Sequence, residues 1–235
     1  MIHCLHGAAG HHRNWDHFCD SLKTPVHPLD LWRLFDQAEP SLTEAGKVIA
    51  DQANPQDILL GYSLGGRLAL HALLADPGKW HAAVIVSAHP GLTEGRPARL
   101  EHDRKWAELA RDDWPLFLER WNAQPVLGGS LHGLRPAPPA DRLRVAASFR
   151  QWSLGTQENL RPRLSSIACP VLWLTGENDQ KFTRLATEAI SLLPQGKHLI
   201  LPRCGHRLPW EQPSLFQAAV QNFLANHRIH PSISS

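Results

Sequence analysis

The stretch Gly61-Tyr62-Ser63-Leu64-Gly65-Gly66-Arg67 lies between two readable elements. Before it, Asp57-Ile58-Leu59-Leu60 is a short apolar run of the kind that forms a buried strand. After it, Leu64 to Ala75 carries apolar residues at helical spacing until Asp76-Pro77-Gly78 stops the helix. A serine between strand and helix in a G-x-S-x-G pattern sits on a turn so sharp that the positions two before and two after it have little room for a side chain. Gly61 and Gly65 meet that need. The heptad reads as a nucleophile elbow. The plainer alternative is a glycine-rich turn with an incidental serine, so the partners of Ser63 have to decide.

Outward from the elbow, apolar runs alternate with helical segments. Ile2 to Leu5, Val26 to Leu29, the run before Ser63, His81 to Ser87, Pro170 to Leu174 and His198 to Leu201 read as six strands. Trp15 to Leu22, Leu42 to Gln52, Phe182 to Leu193 and Pro213 to Ala225 join the elbow helix as the helices between and after them. This rhythm predicts an α/β fold, a mostly parallel sheet with helices on both faces. Between residues 90 and 165 the rhythm breaks into helical segments and prolines, with a local net charge of +3 and the tryptophans Trp106, Trp114, Trp121 and Trp152. We read residues 1–89 and 166–235 as the core and 90–165 as an inserted helical cap of the kind that closes a site against water. A second core layer with a solvated basic face is the alternative. Pro136-Ala137-Pro138-Pro139 marks a loop within it, and the tail beyond Arg228 is expected to fray.

Composition narrows the partners. The chain has 235 residues, 43% of them hydrophobic, which suits one domain with a sizeable core. Its net charge is only +2 and no block of like charge stands out, so neither a nucleic acid nor a membrane surface is an expected partner. Met1-Ile2-His3-Cys4-Leu5-His6-Gly7 has no basic n-region, long apolar stretch or small-residue cleavage site, which argues against secretion. Cys4, Cys19, Cys169 and Cys204 are scattered without a C-x-x-C pair, so the expectation is a reduced, cytoplasmic protein without a disulfide framework or zinc site. The fifteen histidines, His11-His12 and the run His227-Arg228-Ile229-His230 among them, come with no H-E-x-x-H set and are expected at the surface rather than on a metal.

A serine hydroxyl becomes a useful base or nucleophile only beside a histidine that a carboxylate orients. Asp179 lies in Thr175-Gly176-Glu177-Asn178-Asp179, past the end of one expected strand, with Glu177 as the rival acid. His206 lies in Pro202-Arg203-Cys204-Gly205-His206, past the end of the next. Both fall where open α/β sheets keep their sites. Two backbone donors would complete an oxyanion hole: the amide of Leu64, and that of Ala8 in the early loop His6-Gly7-Ala8-Ala9-Gly10. Arg67, four residues after Ser63, returns to the serine's side of the helix, where its charge opposes the macrodipole unless an anion compensates. That anion is either a substrate carboxylate or a protein carboxylate.

With these residues in place, the chain resembles the 2-succinyl-6-hydroxy-2,4-cyclohexadiene-1-carboxylate synthase family of menaquinone biosynthesis, within the α/β-hydrolase-fold superfamily. The likeness runs through His6-Gly7, Gly10 and Trp15, the heptad itself, and His89-Pro90-Gly91-Leu92. It continues through Asp103-Arg104-Lys105-Trp106, Trp121 to Val126, Gly176 to Phe182, and Pro202 to His206 with Glu211 and Pro213 behind. The resemblance implies that Ser63, Asp179 and His206 are a triad and that Ala8 and Leu64 face a developing enolate. It also implies that Tyr62, Arg67, Arg99 and Trp121 bind substrate. The implied reaction is loss of pyruvate from a cyclohexene intermediate carrying several carboxylates, without metal or organic cofactor. A third family arginine falls among Arg135, Arg142 and Arg144, and Asp30-Leu31-Trp32-Arg33-Leu34-Phe35 replaces the family's usual D-x-P-G-x-G loop at the pocket rim. Two rivals share the residues: a carboxylesterase or C–C hydrolase using the same triad, and a ligand-binding member with a relic elbow. Nothing in the sequence marks an oligomer interface.

Overall fold

A computed structural model describes residues 1–19, 22, 24–37, 41–128 and 134–227. Six strands, β1 (Ile2–Leu5), β2 (Val26–Leu29), β3 (Ile58–Tyr62), β4 (Ala82–Val86), β5 (Val171–Gly176) and β6 (Gly196–Leu201), form one sheet in the order β2-β1-β3-β4-β5-β6. Every neighbouring pair is parallel. The chain steps from β1 outward to β2 and then back across to β3. The loops after β1 and β3 therefore diverge at a switch point, the place where such sheets form a crevice.

Period-two alternation explains why the central strands are apolar throughout. Leu59, Ala83, Ile85, Val171 and Trp173 pack on one face with α3 (Leu42–Gln52) and α4 (Leu64–Ala75). Leu60, Tyr62, Val84, Val86, Leu172 and Leu174 pack on the other with α1 (Asp16–Cys19) and α9 (Pro213–Asn226). Ser41 caps α3 by accepting the Glu44 N–H at 3.1 Å.

Element ends differ from the sequence expectation for local reasons. The helix expected over Trp15 to Leu22 begins earlier, as a 3₁₀ turn His12–Trp15 leading into α1, because the His11 ring accepts the Arg13 N–H and caps that turn. Asp20 and Ser21 lie outside the described residues. Strand β5 runs on to Gly176 because Thr175 and Gly176 still pair with Ile200 and Leu201. Helix α8 (Gln180–Ile190) starts two residues before the expected Phe182, with the Asp179 carbonyl accepting the Thr183 N–H at 2.9 Å. Asp30 to Phe35 is a short helix, α2 (Leu31–Phe35), capped by the Asp30 carboxylate.

Between β4 and β5 the chain forms α5 (Arg96–Asp112), α6 (Trp114–Asn122) and α7 (Arg142–Gln151). Their apolar sides share a separate cluster, with Ala107, Ala110, Trp114, Phe117, Val145 and Phe149 closing onto Ala9 and Trp32 of the sheet layer. The aromatic packing there includes Trp106 and Trp121 edge to face at 5.2 Å. Among the described residues, no helix is long and apolar enough to cross a membrane. Cys4, Cys169 and Cys204 are free thiols. The tail beyond Arg228 lies outside the described residues.

Candidate active site

The elbow is as tight as its sequence requires. A Cβ on Gly61 would meet the Gly65 carbonyl oxygen at 2.3 Å, and one on Gly65 would meet the Leu5 carbonyl oxygen at 2.4 Å. Between them Ser63 takes φ 53°, a left-handed conformation that costs a non-glycine residue about 1–3 kcal/mol and recurs at functional sites. The turn is held from both ends. Ser63 N–H donates to Val86 O on β4, and Arg67 N–H donates to Ser63 O in the helix.

The C-terminal ends of β5 and β6 bring the two expected partners to this serine. His206 Nε2 lies 3.1 Å from Ser63 Oγ, and His206 Nδ1 lies 2.7 Å from Asp179 Oδ2. With the Nδ1 hydrogen on Asp179, Nε2 is left to accept the serine proton. Asp179 and His206 are both buried, and Phe182 packs on the imidazole with ring centroids 4.5 Å apart. The rival acid Glu177 is exposed, and its Oε2 accepts the Arg203 N–H at 2.9 Å instead.

The loop after β1 is fixed from three directions. Gly10 N–H closes a turn onto Gly7 O, with Ala9 at φ 54°. His6 donates from Nδ1 to Gly7 O at 2.9 Å and accepts the Leu31 N–H at Nε2, while the Trp32 indole donates to Gly10 O at 2.9 Å. From the helical layer, Ala137 N–H donates to Ala9 O at 2.8 Å. Burial pushes the His6 ring down to about 4, which keeps it neutral and preserves this pattern. Among the described residues, no backbone hydrogen bond engages the amides of Ala8 or Leu64. The short helix at Asp30 to Phe35 thus acts through Leu31 and Trp32 as a buttress behind the loop. Sequence reading placed that segment at the pocket rim. Its Asp30 cap was the local signal for a helix.

Ser63 lies between two cavities. One, of about 160 Å³, is lined by Tyr62, Trp121, Asn122, Arg135, Arg207 and Trp210 among others. The second, of about 100 Å³, is lined by Leu64, Arg67, His89, Arg99, Trp152 and Phe182 among others. Ala8, Ser63 and Trp121 face both. Every residue expected to touch substrate therefore borders one cavity or the other.

The arginines are held differently. Arg67 is buried, and its donors go to neutral groups: Nε to Gln157 Oε1 at 2.5 Å and Nη2 to Trp152 O at 2.9 Å. Among the described residues, no carboxylate forms an ion pair with it. Burial and then the nearby Arg99 oppose its charge, with Asp103 working the other way. Arg99 is tied by Nε to both carboxylate oxygens of Asp103 at 2.9 Å, and the buried Asp103 also accepts from Ser153 Oγ at 2.6 Å. Of the three candidates for a further arginine, Arg144 pairs with Asp36 and Asp141, while Arg135 borders the larger cavity with Nη1 3.6 Å from Asp16. Arg142 borders neither cavity among their described lining residues.

Several site residues escaped sequence reading. Gln157 orients Arg67, and its amide also donates to His89 O at 3.2 Å. His89 is pushed down to about 3 by burial, with Lys181, Arg67, Arg161 and Arg99 adding to the effect, so it faces the cavity as a neutral ring. Its Nδ1 accepts the Gly91 N–H, leaving Nε2 to donate. The histidines are not all at the surface, since His3, His6, His71, His89 and His206 are buried. No group of three or more His, Cys, Asp or Glu side chains among the described residues is arranged to hold a metal ion.

Comparison with known proteins gives the chain's family. Residues 4–219 match the family model of the alpha/beta hydrolase family. The 2-succinyl-6-hydroxy-2,4-cyclohexadiene-1-carboxylate synthase of Enterobacter sp. (strain 638) is 32% identical over 94% of this chain and 90% of its own length. The protein of the same name from Serratia proteamaculans (strain 568) is 36% identical over 72% of this chain and 68% of its own. Among solved structures, MenH from S. aureus shares the fold with a TM-score of 0.82 at 24% identity, covering 96% of this chain and 93% of that one. The chain belongs to the alpha/beta hydrolase family and, within it, to the family of 2-succinyl-6-hydroxy-2,4-cyclohexadiene-1-carboxylate synthases.

Proposed function

We propose that this chain is a carbon–oxygen lyase of menaquinone biosynthesis that eliminates pyruvate from a polycarboxylate cyclohexene carrying an enolpyruvyl ether. The observation that carries this reading is Arg67, a buried guanidinium without a carboxylate partner among the described residues, facing the same cavity as Ser63. Leaving a buried charge unpaired costs several kcal/mol, so a ligand that supplies the opposite charge is strongly favoured there.

In this reading the Ser63–His206 couple, oriented by Asp179, removes the proton beside the succinyl carbonyl. The electron pair moves onto the carbonyl oxygen, and the resulting enolate lies against the Ala8 and Leu64 amides, each such donor contributing about 3 kcal/mol to the transition state. The pair then returns to form a ring double bond as the ether C–O bond breaks. Pyruvate leaves as its enolate and takes up a proton. Arg67 and the terminal nitrogens of Arg99 hold substrate carboxylates, while Tyr62 and Trp121 shape the space beside the ring. No step calls for a metal or organic cofactor, and the free thiols of Cys4, Cys169 and Cys204 support action in the reducing cytoplasm.

A hydrolase using the same triad is the alternative. Pyruvate release above the spontaneous rate, lost in Ser63→Ala, supports the lyase. Fast turnover of short-chain p-nitrophenyl esters with no pyruvate release supports the hydrolase.

A further inference from the structure

The larger cavity holds a cation that the elimination does not use. Arg207 follows His206 directly and is 4% exposed. Its Nη2 donates to Asn122 Oδ1 at 2.5 Å, but Nη1 is buried without a hydrogen-bond partner. Glu211, the acidic residue nearest to it in sequence, is turned to the backbone, accepting the Gly205 N–H at 2.5 Å and the Arg207 N–H at 3.1 Å. Among the described residues no carboxylate forms an ion pair with the guanidinium. Arg207 is thus a second buried cation in the condition of Arg67, on the other side of the serine.

The geometry points to a second carboxylate subsite built on Arg207. A carboxylate entering this cavity would satisfy Nη1 and, by displacing Asn122 Oδ1, would also take Nη2, in the fork geometry that guanidinium favours. Tyr62 borders the same cavity, and its hydroxyl lies against the Arg207 side chain, whose field and hydrogen bond both work against the rise that burial imposes on the phenol. The two arginines, one four positions after the serine and the other one position after the histidine, suit a substrate with carboxylates on opposite arms. Arg207 is then a substrate-binding residue that sets which arm lies beside Tyr62. This inference rests on the polycarboxylate reading of the site.

Two readouts on the full chain test it. With the cyclohexene substrate, Arg207→Met is expected to raise KM for pyruvate release about 10- to 100-fold with a much smaller change in kcat, and Arg207→Lys to recover part of the loss. Thermal-shift titration reads binding without chemistry. Benzene-1,3,5-tricarboxylate is expected to stabilise the wild-type chain more than benzoate does, and Arg207→Met to lose that excess while keeping the benzoate response. If Arg207→Met does not fold by circular dichroism, Arg207→Gln, which keeps a donor for Asn122, carries the same comparison. An unchanged KM, a fall in kcat alone, or equal tricarboxylate stabilisation of variant and wild type overturns the subsite, as does a wild type that the tricarboxylate does not stabilise. A wild type that releases no pyruvate sinks the lyase reading, and the titration then decides on Arg207 by itself.

Discussion

Arg67 and Arg99 face one cavity from different layers, and their charges are compensated in different ways. Arg67 comes from the helix that follows the elbow, is buried, and leans on the neutral oxygens of Gln157 and Trp152. Arg99 comes from the helical layer above, is 33% exposed at its side chain, and is already paired with Asp103. The same contrast extends further. In the sheet layer, buried His6 and Arg67 are both held away from their ordinary protonation balance by burial, whereas Arg144 of the helical layer lies at the surface in ion pairs. The lesson is that the sheet layer carries the buried charge that, in the function proposed above, selects an anion. The helical layer closes over it with charges that are largely neutralised.

Replacing Arg67 puts the most strain on this contrast. Arg67→Met is expected to lower kcat/KM for pyruvate release by about 100- to 1,000-fold, because a preorganised buried cation is lost where substrate charge is held. Steady-state kinetics check it, and a loss no larger than that of Arg99→Met would erase the distinction between the layers.

Acid should weaken the sheet layer next. In the folded chain the His6 ring is pushed down to about 4, against an ordinary value of 6.5. Between those values the unfolded chain binds the extra proton, so stability is full above about pH 6.5 and falls as pH drops toward 4, by about 3 kcal/mol for this ring. His71 and His89, both pushed down to about 3, act in the same direction. Urea denaturation at stepped pH measures the slope. A flat stability between pH 6.5 and 4.5 would contradict the burial argument.

The smallest effect belongs to Arg99. Arg99→Met should cost about tenfold in KM, since Asp103 already offsets much of its charge and only its terminal nitrogens are left for substrate. Kinetics of Arg99→Met beside Arg67→Met sharpen the comparison.

Much of this arrangement was legible in the sequence because its causes are local. Six apolar runs gave the strands, the glycines of the heptad gave the turn, and Asp179 and His206 stand at strand ends where a parallel sheet must deliver them. Arg67 was legible as a residue one helical turn from Ser63, although its lack of a carboxylate partner among the described residues was not. That condition depends on Gln157 and Trp152, some 85–90 positions away in the chain, and no periodicity records it. The Arg99–Asp103 pair has i,i+4 spacing on one helix and was there to be read; the resemblance gave a role to the arginine alone. Arg207 carried no signal of its own, since a cation after a histidine becomes notable only once both are buried. The helix at Leu31–Phe35 was hidden by its brevity, and its role emerges only from the bonds of Leu31 and Trp32 to the loop after β1.

The elimination itself rests on one assay, the rate of pyruvate release from the enolpyruvyl cyclohexene with wild-type protein, with Ser63→Ala, and with no protein. The expected result is release well above the spontaneous rate for the wild type, reduced about 1,000-fold or more by Ser63→Ala. Release at the spontaneous rate with folded wild-type protein would contradict the lyase assignment.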